Sequence, residues 1–247
     1  MRVCVFASSS SLTPEPYLKV ARELGEEIAK AGYLCINGGG KNGCMGALNE
    51  GARASGGKIK TVIHGKWIVD KMEFEDVDEL VVAQGNNLQE RKRLLWETCD
   101  CVVVLPGGTG TWDELMEVAC HNSVGFGKIP ITVINVDGFY DGIIEQIARA
   151  ASDKILYATP DDTMHVETTV KGALSWSALK VKALKEAGEA TGSDAVVLQA
   201  RTTTFIFQRR HSFLVGVFVG FVGAVLTVGE AALLSQMVKK RLAGRLS

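Results

Sequence analysis

Short apolar runs that alternate with helix-forming segments constrain the fold of this chain more than any other feature. Several of the runs are apolar throughout, as expected for strands buried on both faces of a parallel sheet. The predicted strands are residues 2–7, 33–37, 59–63, 79–83, 101–105 and 130–134. The segments between them have helical spacing or helix-forming composition, and they are residues 16–32, 46–56, 86–100, 111–125 and 140–152. This order predicts an α/β fold with a parallel sheet covered by helices and with ligands at the carboxyl ends of the strands.

Charge and cysteine content exclude several functional classes. The formal net charge of −1 argues against a nucleic-acid partner that is held by a basic surface. All six cysteines fall in the first half of the chain and none forms a CxxC pair. We therefore expect reduced, buried thiols rather than disulfides or a zinc site, and we predict no bound metal.

The first glycine loop, NGGGKNGCMG at residues 37–46, matches GxGxxG through Gly38, Gly40 and Gly43. It follows the second predicted strand, and the third strand ends without the acidic residue that a dinucleotide site would use. It also lacks the GK[ST] ending of a Walker loop. Two interpretations stay open: an anion site at a helix N-terminus, or a tight turn that needs positive φ angles.

The second loop, PGGTGT at residues 106–111, joins the fifth predicted strand to a helix. Its amides and threonine hydroxyls could hold a phosphate. Local rules also explain it as a capping box, with Thr111 as N-cap and Glu114 at N3, where the helix dipole would keep the carboxylate ionised. Residues 87–90 predict a similar helix start, and the basic residues 91–93 would normally face solvent. Convergence of these helix starts on one crevice favours a phosphorylated small molecule.

Two motifs together resemble a known family. The ERK at 90–92, followed by PGGTGTWDE at 106–114, is similar to the RK and PGGxGTxxE signature of the Lonely Guy (LOG) proteins, cytokinin riboside 5′-monophosphate phosphoribohydrolases that long carried a lysine decarboxylase label. The loops at 5–10 and 38–46 and the segment 134–144 resemble further family segments. The resemblance covers residues 1–185. No motif marks a Schiff-base lysine with pyridoxal phosphate surroundings, so the decarboxylase label is set aside.

The resemblance implies a Rossmann-like parallel sheet with helices on both faces, a homodimer with shared sites, and no cofactor. It implies hydrolysis of the N-glycosidic bond of a nucleoside 5′-monophosphate, with adenosine monophosphate (AMP) as a further candidate substrate. It carries over Arg91 and Glu114 as the catalytic pair. The substrate-binding positions that it implies are Ser8, Gly39, Gly40, Met45, Leu88, Arg91, Lys92, Pro106, Gly107, Gly108, Thr109, Gly110, Thr111 and Glu114. Leu88, Gln89 and Thr109 depart from the family pattern, which leaves the preferred adenine substituent open.

Residues 1–187 are predicted to form the catalytic domain, with a linker at 188–208 and a basic-flanked tail at 209–247. The apolar stretch 213–238 predicts a C-terminal helix long enough to span a membrane, leaving the catalytic domain in the cytosol as a tail-anchored protein. A buried dimerisation helix is the alternative for this stretch.

Two alternatives to an enzyme stay open for the whole chain. One is a phosphorylated-cofactor binding protein resembling molybdenum-cofactor carriers. The other is a membrane-tethered scaffold with a vestigial enzyme core.

Overall fold

The computed structural model describes residues 1–68 and 72–188. The chain divides into two units, Met1–Val196 and Val197–Ser247, and every described residue belongs to the first unit. The strands are β1 (Arg2–Phe6), β2 (Leu34–Asn37), β3 (Lys58–His64), β4 (Glu79–Ala83), β5 (Cys101–Val104), β6 (Ile131–Ile134) and β7 (His165–Glu167). The helices are α1 (Glu15–Lys30), α2 (Gly43–Ala54), α3 (Gly65–Ile68), α4 (Gln89–Trp96), α5 (Thr109–Ser123), α6 (Asp141–Ser152), α7 (Pro160–Thr163) and α8 (Val170–Glu186).

The seven described strands form one parallel sheet in the order β4-β3-β2-β1-β5-β6-β7. All six predicted strands are present, and the predicted parallel α/β fold is confirmed. Strand β7 was not predicted, because three residues with half-buried side chains give no apolar run. The chain moves outward from β1 to β4 and then returns to the other side of β1 with β5. The strand order therefore reverses between β1 and β5, where parallel sheets place their ligands.

Helices cover both faces of the sheet and create two cores. On one face, side chains of β1 and β5 such as Val3 and Val103 pack with residues of α1, α2 and α8. On the other face, residues such as Phe6 and Val102 pack with side chains of α4, α5 and α6. Alternate residues of β1 thus enter opposite cores, as the period of a strand requires. Apolar burial on both sides explains why the central strands are apolar throughout.

The predicted membrane anchor receives no support from the structure. Among residues 1–68 and 72–188, no helix is both long and apolar enough to cross a membrane. The predicted linker from residue 189 onward and the apolar stretch 213–238 lie outside the described residues.

Candidate active site

A pocket of about 410 Å³ opens at the carboxyl ends of β1, β2, β3 and β5, at the reversal of strand order. Three loops and two helix starts surround it. Residues that line it are Ala7, Ser8, Ser9, Ser10, Gly38, Gly40, Lys41, Asn42, Met45, Ile63, Trp67, Met72, Leu88, Arg91, Lys92, Gly108, Thr109, Gly110, Thr111, Asp113 and Glu114. The predicted convergence of the two glycine loops and the α4 start on one crevice is therefore observed.

The first glycine loop is a tight turn as well as a pocket wall. Gly39 and Gly43 have φ angles of +75° and +62°, which favour glycine. A Cβ on Gly43 would lie 2.8 Å from the carbonyl oxygens of Ser8 and Ser10. The loop that follows β1, within residues 5–10, is hydrogen-bonded to both glycine loops. The Met45 amide donates to the Ser8 carbonyl at 3.0 Å, and the Ser8 amide donates to the Pro106 carbonyl at 3.1 Å.

The predicted capping box at the second glycine loop is wrong. Helix α5 begins at Thr109 with Gly108 as N-cap, and no side chain caps it. The Thr111 hydroxyl instead lies against Gly107, where a Cβ would be 2.1 Å from Thr111 Oγ1. This close approach, rather than a special φ angle, requires glycine at 107. The N-cap lies three residues earlier than predicted, at Gly108 rather than at Thr111.

Arg91 and Glu114 form a buried ion pair beside the pocket. Arg91 Nη1 donates to Glu114 Oε1 at 2.8 Å, and the two residues are 6% and 5% exposed. The Arg91 Nε also donates to the Val62 carbonyl at 3.1 Å, and Nη2 donates to the Gly38 carbonyl at 3.3 Å. The guanidinium thus links α4, β3, the first glycine loop and α5. The pair that the family motif carries over is in contact in the folded chain.

The charge state of Glu114 is set by its surroundings rather than by the helix dipole. Because α5 starts at Thr109, Glu114 lies in its second turn, outside the range where the dipole acts strongly. Burial raises the pKa of Glu114 above 4.5, and the charge and hydrogen bond of Arg91 offset only part of that increase. The expectation that the dipole keeps this carboxylate ionised is corrected accordingly.

The prediction that the basic residues 91–93 share a solvated face is wrong. Arg91 is buried, whereas Arg93 is exposed and pairs with Glu97. Lys92 Nζ lies 3.0 Å from Asp113 Oδ2 and also pairs with Glu117. Burial opposes the charge of Lys92, but its hydrogen bonds to Glu117 and Asp113 outweigh burial and raise its pKa. Lys92 therefore lines the pocket as a cation that is already paired with two acidic side chains of α5.

The start of α4 agrees with its prediction in part. The helix begins at Gln89 with no side-chain cap on its N-cap residue. Asn87 Oδ1 accepts a hydrogen bond from the Gln89 amide at 3.0 Å, and the Glu90 carboxylate reaches back to the Gln84 amide at 2.8 Å. Asn87 thus bonds the first amide of α4, whereas Glu90 bonds the preceding loop and does not complete a capping box, and this turn brings Leu88 and Arg91 to the pocket.

Eleven of the fourteen predicted substrate-binding residues line the pocket. The exceptions are Gly39, Pro106 and Gly107, which shape the loops behind it. Residues that the sequence did not single out include Ser9, Ser10, Lys41, Asn42, Trp67 and Met72. The first four lie within the loops 5–10 and 37–46, which the sequence analysis did single out. Trp67 and Met72 belong to no motif, and the one available signal was the position of Trp67 shortly after β3.

The six cysteines all lie in the described part of the chain. Cys4, Cys35, Cys44, Cys99 and Cys101 are buried and Cys120 is exposed, all as free thiols. Burial raises the pKa of Cys35 to about 12, which keeps that thiol protonated and unreactive. Within residues 1–68 and 72–188, no group of three or more His, Cys, Asp or Glu side chains could hold a metal ion.

The fold and the site define a parallel α/β protein with a small-molecule crevice, two glycine loops and a carboxylate–guanidinium pair. Residues 45–176 match the family model described as "Possible lysine decarboxylase". The chain belongs to this family, whose curated relatives are named cytokinin riboside 5′-monophosphate phosphoribohydrolases. The resemblance to Lonely Guy proteins is thereby confirmed.

Three relatives illustrate the extent of the similarity. A probable phosphoribohydrolase of Oryza sativa subsp. japonica is 36% identical over 62% of this chain and 66% of its own length. An Arabidopsis thaliana enzyme of the same name is 32% identical with the same coverage. The Mycobacterium tuberculosis enzyme is 32% identical over 70% of this chain and 90% of its own length. The chain thus spans slightly less than two thirds of the two plant relatives.

Solved structures support the fold alone, because their sequences are distant. A molybdenum cofactor carrier protein from Chlamydomonas reinhardtii superposes with a TM-score of 0.54 at 22% identity, covering 74% of this chain and 98% of its own. The molybdenum cofactor binding protein from Rippkaea orientalis gives a TM-score of 0.53 at 18% identity, covering 73% of this chain and 95% of its own.

Proposed function

We propose that this protein hydrolyses the N-glycosidic bond of cytokinin riboside 5′-monophosphates to the free base and ribose 5-phosphate. The observation that carries the proposal is the buried Arg91–Glu114 pair in a pocket between two glycine loops. The names of the curated relatives support the same reaction. AMP, which has the same phosphate and ribose and lacks the adenine substituent, is the second substrate to test.

The start of α5 is suited to the 5′-phosphate. Gly108 to Thr111 line the pocket at the N-terminus of a 15-residue helix, where amides without intrahelical partners and the helix dipole favour an anion. Gly108 and Gly110 have open space where a Cβ would stand, so a ligand can approach their backbone closely. We propose that these amides, with the hydroxyl of Thr109, hold the phosphate and thereby position the ribose.

Glu114 is the group suited to the bond that breaks. Cleavage of the bond between the base nitrogen and C1′ leaves positive charge on the ribose, which a nearby carboxylate stabilises. A water molecule then adds to C1′ and gives one proton to Glu114, which passes it on to the departing base nitrogen, so that the carboxylate is regenerated. In this scheme Arg91 fixes the carboxylate by a charge-assisted hydrogen bond.

Product analysis with a panel of adenosine 5′-monophosphates, with and without substituents on the exocyclic amine, tests the reaction. We expect release of free base and ribose 5-phosphate. Glu114→Gln should lower kcat by at least about a hundredfold, in the range of general acid–base groups, while the protein stays folded. Glu50→Gln, an exposed residue paired with Arg22, is the matched control and should keep full activity.

Two results would contradict the hydrolase proposal. One is the absence of base release from every member of the panel. The other is co-purification of a tightly bound phosphorylated cofactor that the protein leaves intact, which would favour the binding-protein alternative.

We also propose that the protein is a homodimer. An exposed stripe of side chains one helical turn apart runs along α5 to its C-cap residue, formed by Trp112, Met116, Cys120 and Val124. Trp112, Met116 and Val124 are 40%, 41% and 51% exposed. A single helix face of this kind can pair with its own copy about a two-fold axis. The stripe begins at Trp112, next to the pocket residues Asp113 and Glu114, so such pairing would bring the two sites close to the interface.

Light scattering of the purified protein tests the dimer. The wild-type chain should have twice the mass of one chain, and the double substitution Trp112→Glu with Met116→Glu should have the mass of one. Tyr157→Glu, at an aromatic residue that is 90% exposed, is the control and should stay dimeric. A double variant that keeps the doubled mass would rule out this face.

A further inference from the structure

Trp67 is a pocket residue that belongs to no motif of the chain. It lies in the short helix α3, directly after the carboxyl end of β3. Its half-buried side chain lines the pocket. The Arg91 Cζ atom lies 5.2 Å from the centroid of the Trp67 ring, within the range of a cation–π contact. The Trp67 carbonyl accepts a hydrogen bond from the Met72 amide at 3.3 Å, which ties α3 to the segment that follows it.

The other contacts of Arg91 all lie at the edge of its guanidinium plane. Nε, Nη1 and Nη2 donate to the Val62 carbonyl, to Glu114 and to the Gly38 carbonyl. Hydrogen bonds at the edge fix a planar group within its plane, but they leave its two faces open to water. Arg91 Cζ lies over the Trp67 ring, so the indole covers part of the guanidinium that these hydrogen bonds leave free, and indole is the aromatic side chain that binds a cation best.

We propose that Trp67 is a positioning residue that holds the Arg91 guanidinium against Glu114 and keeps water from its face. The inference rests on the proposed hydrolysis, in which Arg91 fixes the Glu114 carboxylate. Trp67 then acts through Arg91 and contributes to the chemical step rather than to substrate affinity. The competing role is a platform on which the departing base stacks, which would contribute to affinity instead.

The Trp67 ring should also affect the pKa of Glu114, which can be measured. The charged and titratable groups that act on Glu114 are Arg91 and Lys92 from α4, Asp113 from α5 and the Cys4 thiol from β1. Burial is the largest influence on the Glu114 pKa and raises it. Removal of the indole admits water to the ion pair and also loosens Arg91, and because burial has the larger effect on this pKa, the pKa of Glu114 should fall toward its ordinary value.

Steady-state kinetics of Trp67→Ala and Trp67→Phe in the full chain test the inference. For Trp67→Ala we expect kcat to fall about tenfold, equivalent to about 1.4 kcal/mol, with KM nearly unchanged. Trp67→Phe keeps a ring face for Arg91 and should recover most of kcat. The matched control is Trp176→Ala, which removes a tryptophan that carries a cation–π contact to Lys180 on α8, away from the pocket. It should leave both constants unchanged.

A carboxyl titration separates this inference from the proposed function. Carbon-13 NMR of glutamate carboxyl groups, with the Glu114 signal identified by its loss in Glu114→Gln, needs no activity. Its midpoint should move to lower pH in Trp67→Ala and stay in place in Trp67→Phe. A wild-type protein without hydrolase activity would end the proposed function, and the titration alone would then decide the role of Trp67. An unmoved titration overturns the inference, as does an unchanged kcat or a raised KM with unchanged kcat in an active enzyme.

Discussion

At the scale of single residues, burial and ion pairing have opposite effects on the pKa of Glu114. Glu114 is 5% exposed and its partner Arg91 is 6% exposed, so each charge has lost most of its water. Burial raises the pKa of Glu114, while Arg91 lowers it by a smaller amount. A buried carboxylate in this state can take a proton from water more readily than a solvated one.

We predict that kcat/KM falls on the acid side with a midpoint above 4.5, the ordinary pKa of a glutamate. The proposed chemistry needs the ionised carboxylate, and a raised pKa means that protonation begins at a higher pH than for a solvated glutamate. Activity should therefore be present above the raised pKa and disappear as the pH falls through it. The measurement is kcat/KM against pH at constant ionic strength, with circular dichroism to show that the protein remains folded. An acid limb at or below 4.5 would contradict the assignment.

The sequence located the pair but could not reveal its environment. The family motif brought Arg91 and Glu114 together as a prediction, and the structure places them 2.8 Å apart. Local rules assigned Glu114 to a capping box and residues 91–93 to a solvated face, and both assignments were wrong. Burial depends on which strands and loops surround a side chain, and that information lies far away in sequence, at Val62 and Gly38. Trp67 was missed for the same reason.

At the scale of helices, the contact between α1 and α2 depends on two glycines. A Cβ on Gly25 would lie 2.0 Å from the Leu48 carbonyl oxygen, and one on Gly51 would lie 2.1 Å from the Arg22 carbonyl oxygen. Each helix thus presents a glycine to the backbone of the other. This close packing holds α2, which begins at the end of the first glycine loop, against the sheet.

We predict that Gly25→Ala lowers the free energy of unfolding by about 1–3 kcal/mol, because the added methyl meets backbone that can move only with the whole helix. Gly142→Ala in α6 is the matched control. Its added methyl has nothing within 4 Å, so it should leave stability unchanged or raise it by up to about 1 kcal/mol. Urea denaturation followed by circular dichroism measures both. Equal stabilities of the two variants would show that the helices adjust without cost.

The strands and helices themselves were largely predictable from the sequence. Apolar runs identified β1 to β6 because central strands of a parallel sheet are buried on both faces. The same rule could not find β7, an edge strand whose side chains are only half buried. Helix starts were less predictable, since α5 begins after a glycine N-cap at 108 rather than at the predicted N-cap Thr111.

At the scale of the whole molecule, the residues that line the pocket and some residues that the fold needs come from different parts of the chain. Every residue that lines the pocket lies at or before Glu114. The sheet nevertheless needs α8, whose Ala173, Leu174 and Val181 complete the core over β1 and β5. The Ser177 hydroxyl also shares a buried hydrogen bond of 2.9 Å with Thr132 on β6. A segment far from the chemistry therefore holds the strands on which the chemistry depends.

We predict that a chain ending at Gly188 keeps the fold, the unfolding midpoint and the hydrolytic activity of the full chain, because β1–β7 and α1–α8 all lie within residues 1–188. A chain ending at Thr169 should fail to fold cooperatively, since it exposes the apolar face that α8 covers. Thermal denaturation and the base-release assay, run on both truncations beside the full chain, test the two outcomes. Loss of activity in the longer truncation with its fold intact would mean that residues beyond 188 take part in the site.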